Sequence, residues 1–299
     1  MTGSSGLVGN ALRSFLTTGG HEVVRLVRRE RGRTPASDSR VWDPLFDVID
    51  LSHFDGVDAV VHLAGENIAS GRWTSARKAR IRESRVRGTR LLSESLATLG
   101  VKPKVLLSAS AVGFYGDRGA ETLDEASSQG SGFLASVCRD WERATEPAER
   151  AGIRVVHLRI GIVLTPKGGA LRRMLPPFRL GLGGRIGSGD QFMSWITLDE
   201  IAAVVLHALA TEALDGPVNA VSPSPVMNRE LTSTLGRVLK RPALLPVPAF
   251  AMRAALGEMA NELLLSSARV APKKLLESGF RFRHPDLEGA LRHLLGRSD

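Results

Sequence analysis

Thr2-Gly3-Ser4-Ser5-Gly6-Leu7-Val8-Gly9 decides the fold: its glycines recur at intervals of three, and an apolar helical pattern, residues 10–16, follows without a break. Glycines so placed permit a tight turn and let backbone approach a pyrophosphate. The helix behind them directs N–H donors and the positive end of its dipole at the phosphates. Gly3, Ser5, Gly6, Leu7 and Val8 are therefore candidate dinucleotide contacts. Taken alone, the same residues also suit an ordinary Gly/Ser turn.

Working outward, residues 21–27 form a strand candidate that closes on Arg28-Arg29. A carboxylate at this place would accept from the ribose hydroxyls of NAD, whereas arginine there holds a 2′-phosphate. Arg28 and Arg29 point to NADP(H), against the plainer alternative that they solvate a strand end.

Apolar runs at 22–27, 58–63, 104–109 and 153–159 alternate with helical stretches at 9–18, 76–99 and 132–151. This is the pattern of an α/β, doubly wound parallel sheet of the Rossmann type. The first strand, which should precede Thr2 at the centre of the sheet, is missing, and the expectation is a start assigned too late. Residues 166–189 are rich in Gly and Pro and are expected to form loops or short strands near a ligand. A helix at 199–211 capped by Asp199, a strand at 218–221, a helix after Asn228 and a final amphipathic stretch at 286–295 complete the chain. The expected division is a cofactor domain at 1–165 and a substrate region at 166–299, with some segments interleaved.

Hydrophobic residues are 43% and charged residues 24% of the 299, the proportions of a globular protein. Lys and Arg number 40 against 31 acids, and the +9 excess suits nucleic acid, an anionic membrane surface or an anionic ligand. The densest stretch, 72–90, spreads its arginines around a helix with no interleaved aromatics, which favours a solvated helix lending one or two residues to a phosphate site. Cys138 is the sole cysteine and the histidines lack HxxxH or HExxH spacing, so neither a disulfide nor a metal is expected. No run is long and apolar enough to span a membrane, and the start is unlike a signal peptide. A cytoplasmic protein with a small-molecule substrate, and no nucleic-acid or membrane partner, is the expectation; a homodimer is left open.

Longer motifs narrow the reading: HLAGENIASGRWT from 62, SRVRGTR from 84, SASAVGFYGDRG from 108, FLASVCRDWE from 133, MLPPFRLGLGG from 174, GSGDQFMSWI from 187 and GEMANELLLSSARVAPKKLLESGFRF from 257. With them the chain resembles, over nearly its whole length, the atypical short-chain dehydrogenase/reductases called epimerase-family, or NAD(P)-dependent epimerase/dehydratase-like, proteins. The resemblance implies that Leu63, Ala64 and Gly65 pass beside the cofactor ribose and that Glu66 and Asn67 face the nicotinamide side. Arg159, at the end of its strand, joins the expected cofactor set. Ser110 matches the catalytic Ser/Thr of extended members.

Those relatives use a tyrosine and a lysine four apart on one helical face to move a proton. Leu134 and Cys138 stand at those places, and Arg85 replaces the usual asparagine of the preceding helix. The standard relay is therefore absent. Ser110 is left to polarise a carbonyl or hydroxyl, and Tyr115, the only tyrosine, is either a substitute acid or a packing residue. Arg85 is expected to bind cofactor or substrate charge, and Cys138 to be a small buried hydrophobe. Arg179, Arg185, Met193 and Trp195 either border the pocket or shape a rigid loop, and Thr197 stands where relatives often carry histidine. Two functions follow: an NADP(H)-dependent oxidoreductase or epimerase-like enzyme, or an NADP(H)-binding sensor or scaffold without turnover.

Overall fold

Short apolar runs alternating with helices bury their faces best as a parallel sheet covered on both sides. A computed structural model of the chain, which describes residues 1–28, 36–51, 54 and 56–297, has that architecture. Its strands are β1 (Arg25–Val27), β2 (Ser39–Asp43), β3 (Val48–Ile49), β4 (Ala59–His62), β5 (Val105–Ala111), β6 (Thr122–Leu123), β7 (Arg154–Ile160), β8 (Ile162–Leu164), β9 (Phe192–Met193), β10 (Trp195–Thr197), β11 (Gly216–Ala220), β12 (Val226–Met227) and β13 (Arg269–Val270). The helices are α1 (Leu7–Thr18), α2 (Ser75–Ala97), α3 (Phe133–Arg143), α4 (Glu146–Arg150), α5 (Gly169–Arg179), α6 (Leu198–Ala210), α7 (Asn228–Leu239), α8 (Ala249–Leu256), α9 (Glu258–Ala260), α10 (Lys273–Glu277) and α11 (Leu287–Leu295).

The main sheet pairs β4, β5, β7 and β11 in parallel, with Ala59 beside Val105, Val105 beside Arg154 and Val156 beside Gly216. β1 and β2 are parallel on the far side. Between the two groups lie Met1 and Thr2: Leu26 N donates to Met1 O at 2.8 Å and Thr2 N donates to Val61 O at 2.9 Å. The central position, from which sequence reading found a strand missing, is thus held by two residues that bridge both neighbours.

Leu12 and Leu16 of α1 and Ile201 and Val205 of α6 cover one face of the sheet against Leu107 and Val156. Leu92 and Leu96 of α2 and Ala148 of α4 cover the other, against Val60, Leu106 and Trp42. A separate cluster joins α5, α7 and α11 through Leu171, Leu175, Leu235 and Leu291.

Three local expectations are corrected. The helix expected at 132–151 breaks between α3 and α4, where Pro147, lacking an N–H, fits only the first turn of a new helix. The cap of α6 is Thr197, whose hydroxyl accepts from Glu200 N at 3.2 Å, in place of Asp199. Residues 166–189 contain the 11-residue α5 with Pro176 and Pro177 inside it, because Leu171, Leu175 and Phe178 form a stripe whose burial outweighs the lost backbone bonds. Trp195, read as either bordering the pocket or shaping a rigid loop, is fully buried core, with Nε1 donating to Ser224 O at 2.9 Å.

Candidate functional site

The glycine loop is built by close approach. Gly3 has φ +66°, and a Cβ there would lie 2.6 Å from Leu63 C; one on Gly9 would lie 2.1 Å from Gly3 O. Both positions therefore exclude any side chain. Gly6 N donates to Gly3 O at 3.0 Å, and α1 starts behind it without a side-chain cap, a geometry that leaves first-turn N–H groups to a ligand. Leu7 and Val8, half-buried, pack their side chains against the first core.

A buried chain fixes the loop to both neighbours. His62 Nδ1 is hydrogen-bonded to Thr2 Oγ1 at 2.8 Å and its Nε2 to Thr89 Oγ1 at 2.9 Å. Full burial pushes the imidazole down to about 3, so it is neutral and shares one proton with two hydroxyls.

A cleft of about 1160 Å³ opens on this loop. Its walls are Gly3–Gly6, the end of β1 with Arg25 and Arg28, Leu63–Glu66 after β4, and Arg80, Glu83, Ser84 and Arg87 of α2. Arg25 is neutralised by Asp38 at 2.6 Å, and Arg87 by Asp47 at 2.7 Å. Arg28 is exposed and, among the described residues, meets no carboxylate. Arg29 lies outside the described residues. Glu66, beyond Gly65, is paired with Arg77 at 2.6 Å.

The residues expected at the reacting end divide into two groups. Ser110, 3% exposed, donates to Glu142 Oε1 at 2.7 Å. The same carboxylate takes two bonds from Arg159, Nε and Nη2 each at 2.9 Å, and Arg159 Nη1 donates to Tyr115 Oη at 3.0 Å. Tyr115 is fully buried and its hydroxyl also contacts Asp124 O and Asn219 Oδ1; burial raises its pKa. Arg159 is thus a buried internal cation outside the lining of this cleft, and the hydroxyls of Tyr115 and Ser110 each have an internal partner. An ionic network inside low-dielectric surroundings holds each member in one role.

Leu134 and Cys138 lie under the turn that follows β5: a Cβ on Gly113 would meet Leu134 Cβ at 3.3 Å and Cys138 Sγ at 3.9 Å. Burial pushes the thiol up to about 12, so Cys138 is a neutral apolar filler, as expected. Arg85 packs between Gly65 and Trp141, with Cζ 3.2 Å from where a Gly65 Cβ would stand and 5.0 Å from the Trp141 ring. Nη1 donates to Ile81 O at 3.0 Å, and among the described residues no carboxylate bridges to it. Burial lowers its pKa, while Cys138 and Glu66 act in the opposite sense.

Sequence reading missed Glu142, although its place four residues after Cys138 puts it on the same face of α3. It also missed Glu262, whose carboxylate accepts from Phe133 N and Leu134 N at 3.1 Å each and so caps α3 from a distant segment. No local signal could reveal that contact.

A profile of the NAD dependent epimerase/dehydratase family matches residues 1–220, and one of a domain of unknown function, DUF1731, matches residues 247–294. The chain is 46% identical over 298 residues to epimerase family protein Mb2239 of Mycobacterium bovis, covering 99% of this chain and 97% of that protein. Its fold superposes with a TM-score of 0.90 on the crystal structure of human epimerase family protein SDR39U1 (isoform 2) with NADPH, at 33% identity over 99% of this chain and 98% of that one. A nucleoside-diphosphate sugar epimerase from Corynebacterium glutamicum superposes at 0.81 with 42% identity, covering 99% of this chain and 57% of that one.

Proposed function

Because this chain belongs to the NAD dependent epimerase/dehydratase family, we propose that its cleft binds NADP(H) in preference to NAD(H) and acts on a small substrate by hydride transfer. The observation that carries the choice of cofactor is Arg28, exposed on the cleft wall and free of the carboxylate that neutralises Arg25. NADPH in the human relative's structure supports the same choice. Gly3, Ser5 and Gly6 would meet the pyrophosphate through backbone, with the Leu7 and Val8 backbone behind them. Leu63 to Gly65 would border the ribose. When bound, the nicotinamide supplies or accepts the hydride.

Arg85 is the cation of the reacting end in this reading. Its guanidinium keeps donors beyond the single bond to Ile81 O, and a carbonyl or anionic oxygen of the ligand would be oriented by them. Ser110 acts indirectly, by holding Glu142. Titration of the protein with NADPH and NADH tests the cofactor choice: NADPH at least tenfold tighter is expected, and equal affinities would contradict it.

A second reading, an NADP(H)-binding sensor or scaffold, draws on a separate observation. The hydroxyls of Ser110 and Tyr115 are both committed to internal partners, and Leu134 and Cys138 transfer no proton. NADPH binding without oxidation across a broad panel of carbonyl compounds would favour it.

A further inference from the structure

The chain's +9 is concentrated. Residues 166–189 contain Lys167, Arg172, Arg173, Arg179 and Arg185 and no acid, and residues 231–257 contain Arg237, Lys240, Arg241 and Arg253 and no acid; together these equal the whole net charge. All nine side chains are exposed. Among the described residues only Arg237 of the nine meets a carboxylate, Glu288 at 3.0 Å. The arginine-rich α2 is the opposite case: Arg77, Lys78, Arg82, Arg87 and Arg90 pair with Glu66, Glu258, Asp140, Asp47 and Glu94. Five basic residues of the densest run are therefore neutralised, with Arg80 and Arg85 the members of α2 that meet no carboxylate among the described residues.

The two acid-free stretches run side by side. Leu245 N donates to Gly183 O at 3.2 Å, Val247 N to Arg185 O at 2.8 Å and Gly187 N to Val247 O at 2.9 Å. Large apolar side chains project from the same two stretches: Leu180 is 74% exposed, Leu182 56%, Leu244 83%, Leu245 52% and Phe250 73%. α8, which carries Phe250, buries none of its residues. Exposed apolar groups within a field of unpaired cations call for a partner that is both hydrocarbon and anionic.

We propose that the surface around residues 179–187 and 241–250 docks on an anionic lipid bilayer, with the leucines and Phe250 entering the headgroup and acyl boundary and the exposed arginines and lysines of the two stretches meeting lipid phosphates. No helix among the described residues is long and apolar enough to cross a membrane, so the association is interfacial. It departs from the expectation of no membrane partner. A second copy of the chain fits poorly, because a two-fold contact would set this basic surface against itself. Nucleic acid offers phosphates but no hydrocarbon for four leucines, and Phe250 is the only ring among these exposed groups.

The test is co-sedimentation of the full chain with phosphatidylcholine vesicles and with vesicles that also contain phosphatidylglycerol. Binding is expected only to the second kind and should weaken as salt rises. Arg179→Gln and Arg241→Gln should each lower affinity about fivefold. Leu244→Asp with Phe250→Asp should lower it at least tenfold, while Val101→Asp, an exposed site outside these stretches, changes nothing. NADPH affinity, measured in parallel, confirms that each variant is folded. Absence of binding to phosphatidylglycerol vesicles would overturn the proposal. So would binding indifferent to the apolar substitutions, which would mark a general polyanion surface. Lipid-free self-association that the same substitutions abolish would assign the face to a second copy and likewise overturn it.

Discussion

Ser110 donates its hydroxyl to Glu142 Oε1 at 2.7 Å, and the carboxylate that receives it is held from the other side by Arg159. Ser110, the residue that the family resemblance marks as catalytic, thus links β5 to α3. Its proton goes to a buried anion, and the anion is satisfied by a buried cation. This geometry changes what a substitution at Ser110 should do.

Ser110→Ala leaves Glu142 with both Arg159 bonds, so its cost is that of one hydrogen bond, about 1 kcal/mol, or a Tm loss of roughly 2 °C for a chain of this size. NADPH affinity should stay within a few fold. A Ser110→Ala protein with unchanged Tm but lost turnover would return the hydroxyl to the substrate.

Arg159→Ala is the severe case. It strands the Glu142 carboxylate and removes a donor from Tyr115, and breaking one partner of a buried pair costs about 3–5 kcal/mol. Chemical denaturation should show that loss, whereas a cost below about 1 kcal/mol would mean that the carboxylate finds water.

Cys138 should be inert. With its thiol pushed up to about 12 by burial, native protein at pH 8 should resist iodoacetamide and react only when unfolded. Cys138→Ser should leave NADPH binding unchanged. Rapid native labelling would contradict the buried position under Gly113.

His62 predicts an acid dependence. Its folded pKa, about 3, lies below the ordinary 6.5, so the neutral ring stabilises the fold fully above pH 6.5. As pH falls from 6.5 toward 3 the unfolded chain takes up a proton that the native one refuses, and stability drops by at most about 1.4 kcal/mol per pH unit. Denaturation of wild type and His62→Gln at pH 7 and pH 5 should show a flatter dependence in the variant; equal slopes would contradict the assignment.

The glycine loop and the alternation of strands and helices were legible because each is a local pattern, whereas the loss of the Tyr–Lys pair was legible only through the family resemblance. Gly3 and Gly9 announce a close approach that only glycine allows. The commitments of Ser110, Tyr115 and Arg159 were not legible, since their partners Glu142, Asn219 and Asp124 meet them only through the packed sheet. α5 was hidden by Pro176 and Pro177, whose local cost is overridden by an apolar stripe that finds its counterpart in α7 and α11. Composition gave the size of the basic excess, but the ion pairs of α2 determine where it remains unpaired.

The central claim is that Arg28 selects the phosphorylated cofactor. Fluorescence titration of wild type and Arg28→Ala with NADPH and NADH tests it directly. A charge-assisted contact is worth about 1.5–3 kcal/mol, so the variant should lose roughly ten- to a hundredfold in NADPH affinity while NADH affinity barely moves. Equal losses for both nucleotides, or no loss for either, would contradict it.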